Sequence, residues 1–169
     1  MSSIRNWWVS NEEIDGGMSG FTKYANYLVD ENHPNHENTN IISISGNIDT
    51  FMKRVNHAHL DRYQEQIQAG KGGRPPATYA QSFNFSLPDS VGKDATEQDW
   101  KRIASDLVDT MSEKLGVDRK TLLKHSFINV HDQDNPHLNI LVSRRIDGET
   151  YARNISRPSM TNALKVSFN

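Results

Sequence analysis

The chain contains no cysteine among its 169 residues. This absence excludes disulfide bonds, thiolate zinc sites and a cysteine nucleophile, and it is typical of proteins that work in the reducing cytoplasm. The chain also lacks any apolar run near the roughly 18 residues that span a bilayer, and its N-terminus lacks the apolar core of a signal peptide. We therefore expect a cytoplasmic protein with no membrane partner.

A surplus of positive charge is missing as well, since the formal net charge is −2. This value argues against a protein that coats nucleic acid nonspecifically, although a local basic patch remains allowed. Candidate members of such a patch lie at predicted loops and strand ends, and they are Lys71, Arg74, Arg144, Arg145, Arg153 and Arg157.

The composition is that of one globular domain, with 35% hydrophobic and 24% charged residues. The chain shows no internal repeat, no low-complexity tract and no sign of a second domain. We therefore treat residues 1–169 as a single domain, which is long enough to bury a substantial core.

Hydrophobic periodicity predicts a mixture of strands and helices. Alternating or β-rich segments predict strands at residues 4–9, 40–45 and 78–87, on both sides of a turn near residue 134, and weakly at 150–155. Helical spacing predicts helices over residues 21–31, from Ile48 to near Gly70, between Thr96 and Gly116, and from Pro158 onward.

The helix between Thr96 and Gly116 has the strongest pattern in the chain. Thr96 is placed to cap its N-terminus and Gly116 to follow its C-terminus. Its apolar stripe consists of Trp100, Ile103, Ala104, Leu107, Val108, Met111 and Leu115. With the predicted strands, this amphipathic helix indicates an α+β fold that has a mainly antiparallel sheet, helices packed on one face and an open face opposite.

The stretch 124-KHSFINVHDQDNPHLNILVSRR-145 combines this alternation with potential metal ligands. Alternate side chains of a strand lie on opposite faces, so His131, His137 and Asn139 converge on the face opposite the apolar residues. Two imidazoles and an amide oxygen on one hairpin are able to bind a divalent cation, and Asp132 and Asp134 are close enough in sequence to orient the rings.

Other histidine patterns are weaker. His57 and His59 fall in a predicted helix, where side chains two apart point about 200° away from each other. His33 and His36 follow the first helix and are able to add a ligand, but a solvated loop is the simpler interpretation. The hairpin itself also has a simpler interpretation, in which its histidines only bind backbone and water.

The segment 136-PHLNILVSRR-145, preceded by a strand that ends in His131 and an Asp-containing turn, resembles the third motif of relaxases. Relaxases are mobilisation nucleases of the HUH endonuclease superfamily. This sequence has Asn139 where the family has its third histidine. Its turn is one residue shorter, so an ungapped alignment places Val130 at the first metal position, whereas strand alternation favours His131.

The resemblance extends over roughly residues 20–158, because Tyr27 in 26-NYLVDE-31 occupies the slot of the family's nucleophilic tyrosine. It implies that Tyr27 attacks single-stranded DNA at a transfer origin and forms a 5′-phosphotyrosyl link. Tyr24, one helical turn earlier, is the rival nucleophile.

The resemblance also implies a metal cofactor held by His131, His137 and Asn139, with Asp132 and Asp134 in supporting catalytic roles. The amide oxygen of Asn139 favours Mg²⁺ or Mn²⁺ over softer ions. Accessory DNA-binding and coupling proteins are the expected protein partners. The residues expected to contact DNA phosphates are Arg74, Arg144, Arg145 and Arg153.

Alternatives remain at this point. The chain is also consistent with an HUH-fold DNA-binding module that has lost catalysis, with a rolling-circle replication initiator, or with an unrelated metal-binding or interaction domain. The resemblance leaves open whether residues 1–169 form a complete protein or the N-terminal part of a longer one.

Overall fold

A five-stranded antiparallel sheet organises the protein, whose computed structural model describes residues 8–71, 78–87 and 94–166. The strand order is β1-β3-β5-β4-β2, and every pairing is antiparallel. The strands are β1 (Trp8–Glu13), β2 (Asn40–Ser45), β3 (Ala80–Ser86), β4 (Ser126–Asp132) and β5 (His137–Ser143). The expected α+β fold with an antiparallel sheet is confirmed.

The helices within the described residues connect or follow these strands. They are α1 (Gly17–Val29), α2 (Ile48–Gln68), α3 (Glu97–Leu115), α4 (Arg119–Lys124), α5 (Ala152–Ser156) and α6 (Pro158–Val166), together with a 3₁₀ turn at Pro34–His36. A short hairpin follows β5, and its two-residue strands are β6 (Arg145–Ile146) and β7 (Glu149–Thr150). No helix in the described segments combines the length and apolarity that a bilayer span requires.

The predicted boundaries of α3 are confirmed by its caps. Thr96 accepts a hydrogen bond from the Asp99 backbone while the Asp99 side chain accepts one from the Thr96 backbone, which forms a capping box. At the other end Gly116 adopts a φ of 66°, a left-handed conformation that glycine enters without a Cβ clash.

The two faces of the sheet differ in their covering. One face carries Ile128, Val130, Leu138 and Ile140 and packs on the apolar stripe of α3 to form the main core. On the opposite face, α1 and α2 contribute to a second core cluster with Phe127 and Leu141. The second face is therefore partly covered by helices, which the expectation of a bare face did not include.

Three local predictions differ from the structure. The first helix begins at Gly17 instead of residue 21, so Gly17 and Gly20 lie within its first turn. Glycine is required at position 20, because a Cβ there would lie 1.9 Å from the Asp15 carbonyl oxygen. The predicted strand at 150–155 is wrong, since most of this segment forms α5. The strand predicted at residues 4–9 extends to Glu13, and its first four residues lie outside the described part.

The two histidines of α2 have different environments, as their spacing predicts. His57 is exposed, whereas His59 is buried and stacks on Tyr79 with ring centres 4.4 Å apart. Burial lowers the pKa of His59, and the nearby Arg145, Arg62 and Arg144 lower it further. The folded protein therefore holds this imidazole neutral under conditions where the unfolded chain protonates it.

We expect His59 to make the protein less stable in mild acid. In the unfolded chain, the His59 imidazole takes up a proton near pH 6.5, so His59 costs no stability above that pH. Below it, the free energy of unfolding falls by up to about 1.4 kcal/mol per pH unit, until the pH reaches the lowered pKa of His59 in the folded protein. Urea unfolding at about pH 7.5 and 5.5 should show that the free energy of unfolding falls less between these two pH values for His59→Phe than for the wild type. His57→Phe is the control, and equal losses in all three proteins would contradict this prediction.

Candidate active site

The C-terminal end of α1 is tied to the sheet through one backbone carbonyl. The last carbonyls of a helix have no partner within it, and Leu28 lies one residue before the end of α1. Its oxygen accepts hydrogen bonds from Asn129 Nδ2 at 2.9 Å and from His131 Nε2 at 2.9 Å. Asn139 Nδ2 in turn donates to Asn129 Oδ1 at 3.0 Å. These bonds hold α1 against β4 and β5.

The 3₁₀ turn places a histidine over the same end of the sheet. His36 Nδ1 donates to the Asp30 carbonyl at 2.7 Å, and Thr39 Oγ1 donates to Gln133 Oε1 at 2.6 Å, which joins the turn to the β4–β5 hairpin. Beyond the turn, β2 pairs with β4 so that Ile41 lies opposite His131. As a result, the ring centres of His36 and His131 are 4.6 Å apart.

These connections assemble a cluster from three segments of the chain, which we call the His–Tyr cluster: Tyr27, His33, His36, His131 and His137. The Tyr27 ring centre lies 4.8 Å from that of His33, 4.7 Å from that of His36 and 6.5 Å from that of His131. The hairpin adds His137, whose ring centre is 5.0 Å from that of His131. A tyrosine and four imidazoles therefore share one site.

Three histidines of the cluster each donate a hydrogen bond from one ring nitrogen to a backbone carbonyl. His131 Nε2 donates to Leu28, His137 Nδ1 to Asn135 and His36 Nδ1 to Asp30. A carbonyl oxygen only accepts hydrogen bonds, so in each neutral ring the bonded nitrogen carries the proton and the other carries a lone pair. This pattern is typical of metal-binding histidines.

Electrostatics keep two of these rings uncharged. Burial, together with smaller contributions from the nearby His137 and His36, lowers the pKa of His131 to about 4 despite the bond to Leu28. Burial also lowers the pKa of His137. At neutral pH both rings therefore offer a lone pair instead of repelling a cation.

The cluster fits a divalent cation in its chemistry, although not yet in its geometry. His36 Nε2 is buried and has no hydrogen-bond partner among the described residues, which is unusual for a buried polar atom. Within the same residues, no three His, Cys, Asp or Glu side chains already stand in an arrangement that holds a metal. The donor types of a metal site are thus present, although the described side chains do not stand in an arrangement that holds a metal.

The hairpin prediction is confirmed in its phase and differs in its detail. Val130 is fully buried against the main core and His131 lies in the His–Tyr cluster, which are the faces that strand alternation predicts for them. Asp132 lies on the opposite face from His131 and Asp134 is exposed. Among the described residues, carbonyls orient the rings, and neither aspartate bonds to them.

The two candidate nucleophiles have different surroundings. The Tyr24 hydroxyl shares a hydrogen bond with Ser82 Oγ at 2.8 Å, and burial raises the pKa of Tyr24. The Tyr27 hydroxyl has no hydrogen-bond partner within the described part of the chain, and its ring contacts three histidines of the cluster. Tyr27 is therefore better placed for chemistry than Tyr24.

The arginines predicted to bind DNA are not gathered at the cluster. Arg144 forms an ion pair with Glu13 at 3.5 Å, and Arg145 forms one with Glu65 at 3.3 Å. Both arginines follow β5, whose opposite end carries His137. Each ion pair partly neutralises the charge that its arginine would offer to a DNA phosphate. Arg153 is exposed on α5, and Arg74 lies outside the described residues.

His36 is the residue whose place the sequence did not predict. The interpretation of His33 and His36 as a solvated loop is wrong for His36, which is 2% exposed. The short segment between α1 and β2 could have indicated the position of His36. Because β2 pairs beside His131, the turn that precedes β2 has to lie near the same site.

Comparison with known proteins identifies the fold. No protein-family model and no curated protein sequence matches the chain. Two solved structures of the MobM relaxase domain (MOBV; Mob_Pre), both Mn-bound and bound to plasmid pMV158 oriT DNA, resemble the structure. Their TM-scores are 0.59 and 0.58 at 12% and 11% identity, and each match covers 90% of this chain and 79% of the other. The protein therefore has a relaxase fold.

We expect Asn129 to be important for the attachment of α1. Asn129→Ala leaves Asn139 Nδ2 without its acceptor and removes one donor from Leu28, so it should lower the free energy of unfolding by about 1–3 kcal/mol. Asn26→Ala, on the exposed side of α1, should change it by less than about 0.5 kcal/mol. Urea denaturation measures both, and an equal effect would show that this anchor contributes little.

Proposed function

On this relaxase fold, we propose that the protein is a relaxase that nicks single-stranded DNA at a transfer origin through Tyr27. The observation that carries the proposal is the packing of Tyr27 against His36 and His131, each of which donates one ring N–H to a backbone carbonyl. A nucleophile beside neutral imidazoles is the arrangement expected for transesterification at a phosphate.

The proposed reaction exchanges one phosphoester for another. The Tyr27 phenolic oxygen forms a bond to phosphorus, and the bond from phosphorus to the 3′ oxygen breaks. The phenolic proton passes to solvent, and the leaving 3′ oxygen takes up a proton. The products are a 5′-phosphotyrosyl link and a free 3′-hydroxyl, and the retained phosphoester bond allows the strand to be rejoined.

His131 and His137 are the residues that would hold a divalent cation in this reaction, with Mn²⁺ or Mg²⁺ as the candidates. When bound, such an ion neutralises charge on the non-bridging phosphate oxygens. The protein's own contribution is orientation, because the carbonyls of Leu28 and Asn135 fix which nitrogen of each ring faces the site.

The open part of the site face supplies a surface for an unpaired base. Trp8 pairs with Ser86, which pairs with His137, so the three residues share one face and one row across the sheet. Trp8 lies two strands from His137, a backbone separation of about 10 Å. Its side chain is 55% exposed, which is unusual for tryptophan unless its surface is used.

This surface suits single-stranded DNA better than a duplex. Aromatic stacking requires an unpaired base, and the negative net charge opposes nonspecific binding to duplex phosphates. The oriT DNA bound to the MobM domain makes transfer-origin DNA the substrate class that we propose, with accessory DNA-binding and coupling proteins as its protein partners.

We expect Tyr27→Phe to abolish cleavage while preserving binding, because only the attacking oxygen is removed. Pooled single strands from origin regions are incubated with Mn²⁺, and adducts are resolved on denaturing gels and mapped by mass spectrometry. Tyr24→Phe is the matched control and should retain adduct formation.

An adduct mapped to Tyr24 or to any residue other than Tyr27 would refute this assignment. Strand binding by the wild type without any adduct would instead identify a DNA-binding module of the relaxase fold that lacks catalysis.

We also expect Trp8 to contribute to affinity. Trp8→Ala should weaken single-strand binding by about 1–3 kcal/mol, the usual value of one stacked base, whereas Trp8→Phe should retain much of it. Fluorescence anisotropy with a labelled strand measures both. Ile67→Ala removes an equally exposed apolar residue from α2 and should leave affinity unchanged. Equal affinity of Trp8→Ala and wild type would exclude the stacking role.

A further inference from the structure

We propose that His36 completes the metal centre with His131 and His137, in the place that the sequence assigns to Asn139. This inference rests on the proposed function, since it concerns the metal of the same site. It differs from the hairpin ligand set in drawing one ligand from the 3₁₀ turn that precedes β2.

The main observation is the state of the second ring nitrogen of His36. The residue is 2% exposed, and Nε2 is buried without a hydrogen-bond partner among the described residues. Buried polar atoms nearly always have a partner, so an isolated one indicates an absent ligand, ion or water. The His36 ring centre lies 4.6 Å from that of His131, which places this imidazole beside a predicted ligand.

The second observation is that His36 is oriented in the same way as the two hairpin histidines. Each ring donates one N–H to a backbone carbonyl, those of Asp30, Leu28 and Asn135 respectively. Such bonds select the tautomer and direct the other nitrogen toward a metal. His59 and His125 have the same kind of bond outside the cluster, so the orientation of His36 supports the proposal because this ring also lies beside His131.

Asn139 already has a structural role that competes with metal binding. Its amide nitrogen donates to Asn129 Oδ1, and Asn129 donates to the Leu28 carbonyl. The side chain is thus part of the connection that holds α1 to the sheet. Its oxygen is also an uncharged donor that attracts transition metals less strongly than imidazole.

A three-imidazole set changes the expected metal preference. Imidazole favours transition metals, whereas Mg²⁺ prefers oxygen ligands and retains its waters. We therefore expect Mn²⁺ to bind much more tightly than Mg²⁺, in contrast to the similar affinities expected of a site that depends on Asn139.

The test removes the free nitrogen of each ring and retains the bonded one. An asparagine amide nitrogen occupies nearly the position of Nδ1, and a glutamine amide nitrogen that of Nε2. His36→Asn therefore preserves the bond to Asp30, His131→Gln preserves the bond to Leu28, and both lose the lone pair. Asn139→Ala tests the competing ligand and His57→Asn is the control.

Calorimetric titration with Mn²⁺ alone, without DNA, gives the affinity, and nitrogen-sensitive pulsed EPR counts the imidazoles on the bound ion. We expect His36→Asn to weaken Mn²⁺ binding by at least about 100-fold, the upper end of what losing an orienting partner alone produces. The imidazole count should fall from three to two. Asn139→Ala and His57→Asn should retain the wild-type count and affinity.

Unchanged affinity and count in His36→Asn would overturn the inference, even if cleavage were lost, because His36 would then act on Tyr27 or hold a water. The same is true if Asn139→Ala alone weakens binding. If His131→Gln also has no effect, the hairpin holds no metal and the proposed metal-dependent function fails with it. If the variants change Mn²⁺ affinity and imidazole count as expected but the wild type forms no DNA adduct, this inference stands and the relaxase activity is refuted.

Discussion

The attachment of α1 to the sheet depends on the need of one helix-terminal carbonyl for partners. Leu28 has no helical donor for its oxygen, and Asn129 and His131 supply two. Because His131 is both an anchor and a member of the His–Tyr cluster, the bond that closes the helix also sets the tautomer of a candidate ligand. The same contact fixes Tyr27, one residue before Leu28, beside the histidines.

Burial gives the cluster its chemical character. Imidazoles in water are partly protonated near neutral pH, whereas those of His131 and His137 have lowered pKa values because they are desolvated and adjacent to each other or to His36. Neutral rings are able to approach a cation and a phosphate together. Among the described residues, the buried Nε2 of His36 has no hydrogen-bond partner, and this observation supports the proposed three-histidine centre.

DNA recognition on this fold need not depend on a strongly basic surface. Arg144 and Arg145 are committed to Glu13 and Glu65, and the chain is slightly acidic overall. In the proposed function, the exposed Trp8 in the same row as His137 stacks on an unpaired base, a contact that is selective for single strands and needs no net charge. The shared fold with the MobM domain at 12% identity shows that this architecture tolerates very different sequences.

The sequence by itself determined most of the strands and helices and the phase of the β4–β5 hairpin. Alternation assigned Val130 to the core and His131 to the opposite face, and cap chemistry placed the ends of α3 at Thr96 and Gly116, because these signals are local. Tertiary structure alone decided the rest. The burial of His36 and the pairing of Arg144 with Glu13 join segments about 100 or more residues apart, and turn residues carry no periodicity that reports such contacts.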